Sequence, residues 1–237
     1  MASSSNGSGH VPFTDKIRVR FPLRLQQELY YMTNQPRSIS CNIAIYPPNN
    51  ISRRAINVSR ALLKRGGLFA IDGKNYYPHI TIYMAEFPRR NIKAVETLLK
   101  KITAGKKPFR IESDRYHQSR DGYVEIGFKR TKAILLLHKN IVQSLNPLRD
   151  GLMRPKDLVR FKQFSKQKQK NLKLYGYDNV FAEFAPHMTF TKLGRTDRRV
   201  IGDLSKQNFS FLIKEIGLFK SAEHGACRKI IAQFYLS

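Results

Sequence analysis

Cysteine, acidic side chains and long apolar runs are all scarce in this chain of 237 residues, and each scarcity removes a class of protein. Its two cysteines, Cys41 and Cys227, lie far apart and form neither a disulfide framework nor the paired spacing of a zinc site. A reducing, cytoplasmic setting is expected. No uncharged apolar run approaches the ~18 residues of a membrane span. The opening MASSSNGSGHVPF lacks a basic stretch followed by an apolar one, so neither a membrane partner nor a secretory leader is expected. With 17 Asp and Glu in all, there is no D-x-D pair for a two-metal nuclease site. GxSxG, P-loop, GxGxxG and HExxH motifs are missing too. No metal and no cofactor is expected.

What remains is basic and aromatic. Lys and Arg number 43, giving a formal charge of +26, and 15 Phe and 11 Tyr sit within a 41% apolar composition. Such a chain folds around a core and gathers polyanions, so RNA or an oligonucleotide leads the expected partners, with the protein a monomer. Residues 1–37 read as a flexible Ser/Gly/Asn-rich tail and an arm, and 38–237 as one domain with a basic insertion at about 150–180.

Periodicity supplies the elements. SISCNIAIY alternates Ile39, Cys41, Ile43 and Ile45 as a half-buried strand does, and ISRRAINVSRALLKRGG follows at helical spacing. HITIYMAEF reads as a strand, IKAVETLLKKITAG as a helix, FRIESDRY and GYVEIGF as a hairpin, and TKAILLLHKNIVQSL as a helix. The order then restarts with the strand PHMTFTKL, the short helix DRRVIGDLSKQ, and the strands FSFLIKEIGLF and RKIIAQFYL. Pro186-His187-Met188-Thr189-Phe190 superposes on Pro78-His79-Ile80-Thr81-Ile82, and Arg198-Arg199 falls near Arg89-Arg90. A duplicated helix-and-strand unit predicts an α+β, bilobal fold, with two antiparallel sheets flanking a central cleft and helices outside.

Side chains at i and i+2 of a strand share a face, so each copy presents an imidazole beside a hydroxyl. Two imidazoles across a cleft can serve as general base and general acid at phosphorus without a metal, and two hydroxyls can hold the nonbridging oxygens. His117-Gln118-Ser119 also fits the pattern but has no repeat partner and reads as a solvated hairpin loop. His138, on an apolar helix, reads as structural, and His224 as a turn residue.

The paired motifs, His79-Ile80-Thr81-Ile82 and His187-Met188-Thr189-Phe190, resemble the H-x-[ST]-x signature of the 2H phosphoesterase superfamily, which includes the LigT-like 2′-5′ RNA ligases and cyclic phosphodiesterases. The likeness spans about residues 38–237. It implies metal-independent action on 2′,3′-cyclic phosphate or 2′-5′ linkages, with His79 and His187 as acid and base and Thr81 and Thr189 as phosphate ligands. For opening a cyclic phosphate, the order it favours has His187 activating water and His79 protonating the leaving oxygen. The wide spacing of the histidines, the basic arm and the insertion depart from compact relatives.

The run from Arg154 to Lys173 holds eight Lys or Arg and one acid, Asp157, just before the second motif. Placed at a cleft rim, Arg160, Lys162, Lys166 and Lys168 are candidate phosphate-backbone contacts. Tyr76, Tyr83, Lys192 and Arg195 flank the motifs as further candidate substrate contacts, the tyrosines by stacking. Three functions fit: a phosphodiesterase for RNA, one for a small 2′-5′ or cyclic oligonucleotide messenger, and a noncatalytic RNA-binding protein on the same fold.

Overall fold

Nine strands and five α-helices follow one another in the order β1 (Ser38–Ile45), α1 (Asn49–Leu63), β2 (Ile80–Pro88), α2 (Ile92–Thr103), β3 (Phe109–Ile111), β4 (Ser113–Gln118), β5 (Tyr123–Phe128), α3 (Lys132–Leu145), α4 (Pro155–Arg160), α5 (Lys166–Tyr175), β6 (His187–Lys192), β7 (Phe211–Ile213), β8 (Glu215–Ser221) and β9 (Cys227–Tyr235) among the described residues. The structure is a computed structural model that describes residues 38–119, 121–194, 202, 204 and 207–237. The tail and arm over 1–37, Arg195, Arg198-Arg199 and most of the short helix expected near 197–207 lie outside them.

The strands form an antiparallel four-stranded sheet in the order β2-β1-β8-β9, an antiparallel three-stranded sheet in the order β4-β5-β6, and a short β3-β7 ladder. Each histidine motif therefore lies in a different sheet. The two halves are also crossed: the β4-β5 hairpin of the first half pairs with motif strand β6, while β8-β9 of the second half joins the sheet of motif strand β2.

Helix packing repeats that crossing. On α1, the buried residues Ile51, Ala55, Val58, Ser59 and Leu62 recur at helical spacing, and Ser59 Oγ donates to the Phe190 carbonyl of β6 at 2.5 Å. On α3, Ile134, Leu137, His138, Ile141, Val142 and Leu145 form the buried stripe, and His138 Nδ1 lies 2.8 Å from the Ile82 carbonyl of β2. Phe181 N donates to His138 Nε2 at 2.9 Å, so Nδ1 carries the proton and this histidine is structural.

Two expectations change. FRIESDRY and FSFLIKEIGLF are each broken at one residue, Glu112 and Lys214, so that their first parts pair as the β3-β7 ladder while the rest joins the main sheets. The carbonyls released at the breaks accept from Lys129 N at 2.9 Å and Leu236 N at 2.8 Å, just past the ends of β5 and β9. β1 is buried on both faces at its C-terminal half rather than on one, because Ala44 joins Phe219 and Cys227 in a second apolar cluster behind the main core. Burial pushes the Cys41 thiol up to about 12, with Glu86 adding to the effect, and burial raises Cys227 as well. Neither is a ready nucleophile.

Candidate active site

Each motif opens on proline, whose fixed φ and missing N–H suit a strand entrance. Immediately after it, the imidazole turns back on its own backbone. His79 Nδ1 lies 2.8 Å from the Tyr77 carbonyl, and His187 Nδ1 lies 2.8 Å from the Ala185 carbonyl. A carbonyl only accepts, so both rings carry hydrogen on Nδ1 and exchange protons through Nε2.

The segment before His79 is held from two sides. Asp72 Oδ1 accepts from the backbone N–H groups of Lys74, Asn75 and Tyr76, and Tyr77 N donates to the Cys227 carbonyl. The hydrogen bonds outweigh burial and hold the Asp72 carboxyl down at about 2. His187 is held by its neighbour strand, where Phe128 N donates to the Pro186 carbonyl at 2.9 Å.

A cleft of about 1210 Å³ contains His79, Thr81, His187 and Thr189 in its lining. Burial pulls His79 down to about 4; the Tyr77 and Gly225 carbonyls oppose that shift, and charge on His187 adds to it. His79 thus rests neutral at pH 7.

One register shift in each motif strand decides what else faces the cleft. Thr81 pairs with Ala44 and Tyr83 with Ile43, which leaves Ile82 as an extra residue between them. Thr189 pairs with Glu125 and Thr191 with Val124, which leaves Phe190 extra in the same way. An extra residue reverses the alternation of faces beyond it. Thr81 and Thr189 therefore line the cleft, whereas Tyr83 and Thr191 turn into the core, where both are fully buried.

The two threonines are not equivalent. Asn42 Nδ2 donates to Thr81 Oγ1 at 3.0 Å and also to the Gly225 carbonyl at 3.2 Å, which leaves the Thr81 hydroxyl hydrogen to point elsewhere. Thr189 Oγ1 instead donates to Glu125 Oε1 at 2.8 Å. Glu125 Oε2 lies 3.2 Å from His117 Nε2, and Oε1 lies 3.6 Å from His187 Nε2. Burial alone would raise the Glu125 carboxyl, but the His117 hydrogen bond, the His187 charge and the Thr189 hydroxyl hold it below the usual range. His117 is raised in turn, chiefly by its hydrogen bond to Glu125. Even so, among the described residues no group of three or more His, Cys, Asp or Glu has a metal-holding arrangement.

Of the substrate contacts expected from the sequence, Arg160 and Lys168 line the cleft. Both meet acids: Arg160 lies 3.7 Å from Asp121 and 5.8 Å from the Phe164 ring centroid, and Lys168 lies 3.1 Å from Asp178 and 2.9 Å from Asn179 Oδ1. Lys162 and Lys166, expected at the rim, are exposed and are not among the residues that line the cleft. Tyr83 is corrected as well. The bulge at Ile82 sends it into the core, where its hydroxyl donates to the Tyr175 carbonyl at 2.6 Å and ties the end of α5 to β2. Tyr76 packs on the core and lines a neighbouring 510 Å³ pocket instead of the cleft. Lys192 holds its ammonium 5.3 Å from the ring centroid of Tyr123, a cleft residue.

Other cleft residues went unread. His117 is not a solvated loop residue: β4 carries it to Glu125 on the cleft wall. His224, in the turn before β9, has φ 57° and lines the cleft, stacked on Phe69 at 5.1 Å. The signal for Glu125 was present in the alternation of GYVEIGF, which puts Tyr123, Glu125 and Gly127 on the face opposite buried Val124, Ile126 and Phe128.

A family described as "Protein of unknown function (DUF1045)" matches residues 84–226, a span that starts after the first motif and includes the second. No curated protein matches the sequence. Escherichia coli LigT complexed with NADP+ is similar in structure at 16% identity and a TM-score of 0.54, over 84% of this chain and 99% of that one. A phosphoesterase crystal structure is similar at 18% identity and a TM-score of 0.56, over 86% and 99%. TT0787 of Thermus thermophilus is similar at 13% identity and a TM-score of 0.57, over 84% and 98%. These likenesses identify the fold as LigT-like.

Proposed function

We propose that this chain, which belongs to the DUF1045 family and has the LigT-like fold, is a metal-independent phosphodiesterase acting on 2′,3′-cyclic phosphate or 2′-5′ linkages of RNA or an oligonucleotide. The observation that carries the reading is the pair of identically anchored imidazoles in one cleft, each with a threonine hydroxyl two residues on. Escherichia coli LigT structures hold NADP+, phosphate, 3′-AMP or ATP, and we take the same class of phosphate-bearing nucleotide for this cleft.

The charges favour a particular order of events. His79 is neutral at rest, so its Nε2 takes a proton from the attacking water as the new oxygen–phosphorus bond forms. His187 stands beside the Glu125 carboxylate, and its Nε2 gives a proton to the ribose oxygen as the old phosphorus–oxygen bond breaks. This reverses the order favoured by the family likeness. Thr81 donates to a nonbridging oxygen.

A second reading keeps the chemistry but takes a small 2′-5′ or cyclic oligonucleotide. It is favoured by the insertion itself, whose cleft residues Arg160 and Lys168 already face Asp121 and Asp178. Incubation with 2′,3′-cyclic, 2′-5′ and 3′-5′ linked substrates of one nucleotide to several, in excess EDTA, separates the readings once product termini are identified by mass. Cleavage that stops in EDTA and returns with Mg²⁺ or Mn²⁺ refutes the metal-independent mechanism.

A further inference from the structure

Met84, Arg154 and Lys156 line both the cleft and the neighbouring 510 Å³ pocket, so the two cavities share a wall. That volume falls within the ~300–1,000 Å³ of small-molecule sites. One face of the four-stranded sheet serves both cavities. Ser40 and Asn42 point the same way from β1, opposite Glu86 and Met84 of β2. Asn42 holds the Thr81 hydroxyl oxygen, whereas Ser40 lines the pocket. Met84 stands three residues beyond Thr81, which is about 10 Å along a strand. A ligand with one phosphate at Thr81 therefore reaches the pocket with its neighbouring unit.

The two cavities differ in how their cations are answered. In the cleft, Arg160 and Lys168 already face Asp121 and Asp178. In the shared wall, Arg154 is fixed by Asp157, with Nε at 2.6 Å and Nη2 at 2.5 Å, while Nη1 donates to Met84 Sδ. Lys156 and Arg228 are different: both are exposed, both line the pocket, and among the described residues neither has a salt-bridge partner. Glu223 is the one acid among the described lining residues. The pocket's hydroxyls divide by role. Ser221 Oγ is buried with no hydrogen-bond partner among the described residues, so its hydrogen is available to an anion. Ser40 gives its hydrogen to Glu86, which leaves its oxygen as an acceptor.

We propose that this pocket is a second subsite, which takes the phosphate and ribose next to the reacting linkage and so makes the substrate an oligonucleotide rather than a mononucleotide. The inference rests on the phosphodiesterase reading above and names its substrate class. Lys156 and Arg228 converge on the phosphate from the insertion and from β9, Ser221 donates to one of its oxygens, and Ser40 accepts from a ribose hydroxyl. The insertion thus serves the substrate through a residue near its start, ahead of the lysine-rich stretch.

Calorimetric binding to the full chain in EDTA tests this with two probes, 3′-AMP and the adenylate dinucleotide that ends in a 3′-phosphate. The wild-type protein should bind the dinucleotide about tenfold or more tightly than 3′-AMP, the worth of a hydrogen bond to a charged group. Lys156→Gln with Arg228→Gln should remove most of that margin. Lys162→Gln with Lys166→Gln removes the same charge at exposed positions that line neither cavity, and should keep it. A dinucleotide bound no more tightly than 3′-AMP overturns the proposal. So does a margin that the two double variants reduce equally, since that is general attraction by a basic surface. Should the first pair fail to fold, Ser221→Ala decides, and an undiminished margin there overturns the subsite. Binding needs no turnover: the expected margins in a protein that cleaves nothing sink the phosphodiesterase reading alone, and cleavage without a margin sinks the subsite alone.

Discussion

Replacing one threonine and then the other with valine distinguishes a phosphate ligand from a carboxylate ligand. Anionic phosphate oxygens only accept hydrogen bonds, so a useful hydroxyl must have its hydrogen free. Thr81 meets that condition, since Asn42 Nδ2 occupies its oxygen as a donor at 3.0 Å. Thr189 has committed its hydrogen to Glu125 at 2.8 Å and must break that bond before it can serve a substrate. A hydrogen bond to a charged group contributes about 1.5–3 kcal/mol, which is about tenfold to a hundredfold in rate. Thr81→Val should lose kcat/KM in that range, while Thr189→Val loses less than about tenfold because its bond to phosphate was already offset by the one to Glu125. Both valines keep the branched shape that β2 and β6 accommodate, so matched melting temperatures accompany the comparison. The assay is turnover of a cyclic mononucleotide in chelator. Equal losses, or a larger loss for Thr189→Val, refute the reasoning. An Asn42→Ala, Thr81→Val double-mutant cycle should show coupling of about 0.5–3 kcal/mol, since the two share one hydrogen bond.

Three further outcomes are expected. His79→Ala and His187→Ala should each slow turnover by about 10²- to 10⁴-fold in a folded protein, and a retained rate removes that residue from the mechanism. Burial lowers His138 from 6.5 to about 4; between those values the unfolded chain binds the extra proton, so stability is full above pH 6.5 and falls toward pH 4, by about 3 kcal/mol at most. A melting temperature flat across that window contradicts it. Arg160→Gln with Lys168→Gln should flatten the salt dependence of RNA binding by about 0.7 units of slope per lost contact, while Lys162→Gln with Lys166→Gln leaves cleft turnover unchanged; loss of mononucleotide turnover in the second pair contradicts the exposed placement.

The sequence carried the repeat, the two strand motifs and the α+β class because each depends on short-range periodicity. The i, i+2 rule put His79 with Thr81 and His187 with Thr189 on the cleft face. It failed at Tyr83 because parity survives only while pairing is regular, and the extra residue at Ile82 is a property of the β1-β2 register rather than of β2 alone. His117 was missed for the same reason. Its neighbours in sequence are polar hairpin residues, whereas its partner Glu125 and the strand beyond are supplied by register. In the insertion, the cations were visible in the run 154–173, but the acids that answer two of them, Asp121 and Asp178, lie outside it.

That last pairing bears on how a chain of charge +26 selects anything at all. A uniformly basic cleft would hold every polyanion and distinguish few of them. Here Asp114, Asp121, Glu125, Asp157 and Asp178, five of the 17 acids in the whole chain, line the cleft that holds the histidines. Several sit on cations: Arg154 is buried against Asp157 at 2.5 Å and over Tyr177, with Asp121 and Asp178 facing Arg160 and Lys168. The outer surface, left with most of the excess charge, draws anions in at long range, an effect that weakens with salt. Inside, Arg154, Arg160 and Lys168 are each oriented by an acid, and on the proposed function each yields to a ligand where a phosphate replaces that acid at matching distance. On the proposed function, attraction falls to the surface and discrimination to the paired groups, so removing an acid such as Asp178 should broaden what the cleft holds more than it tightens binding to the right substrate.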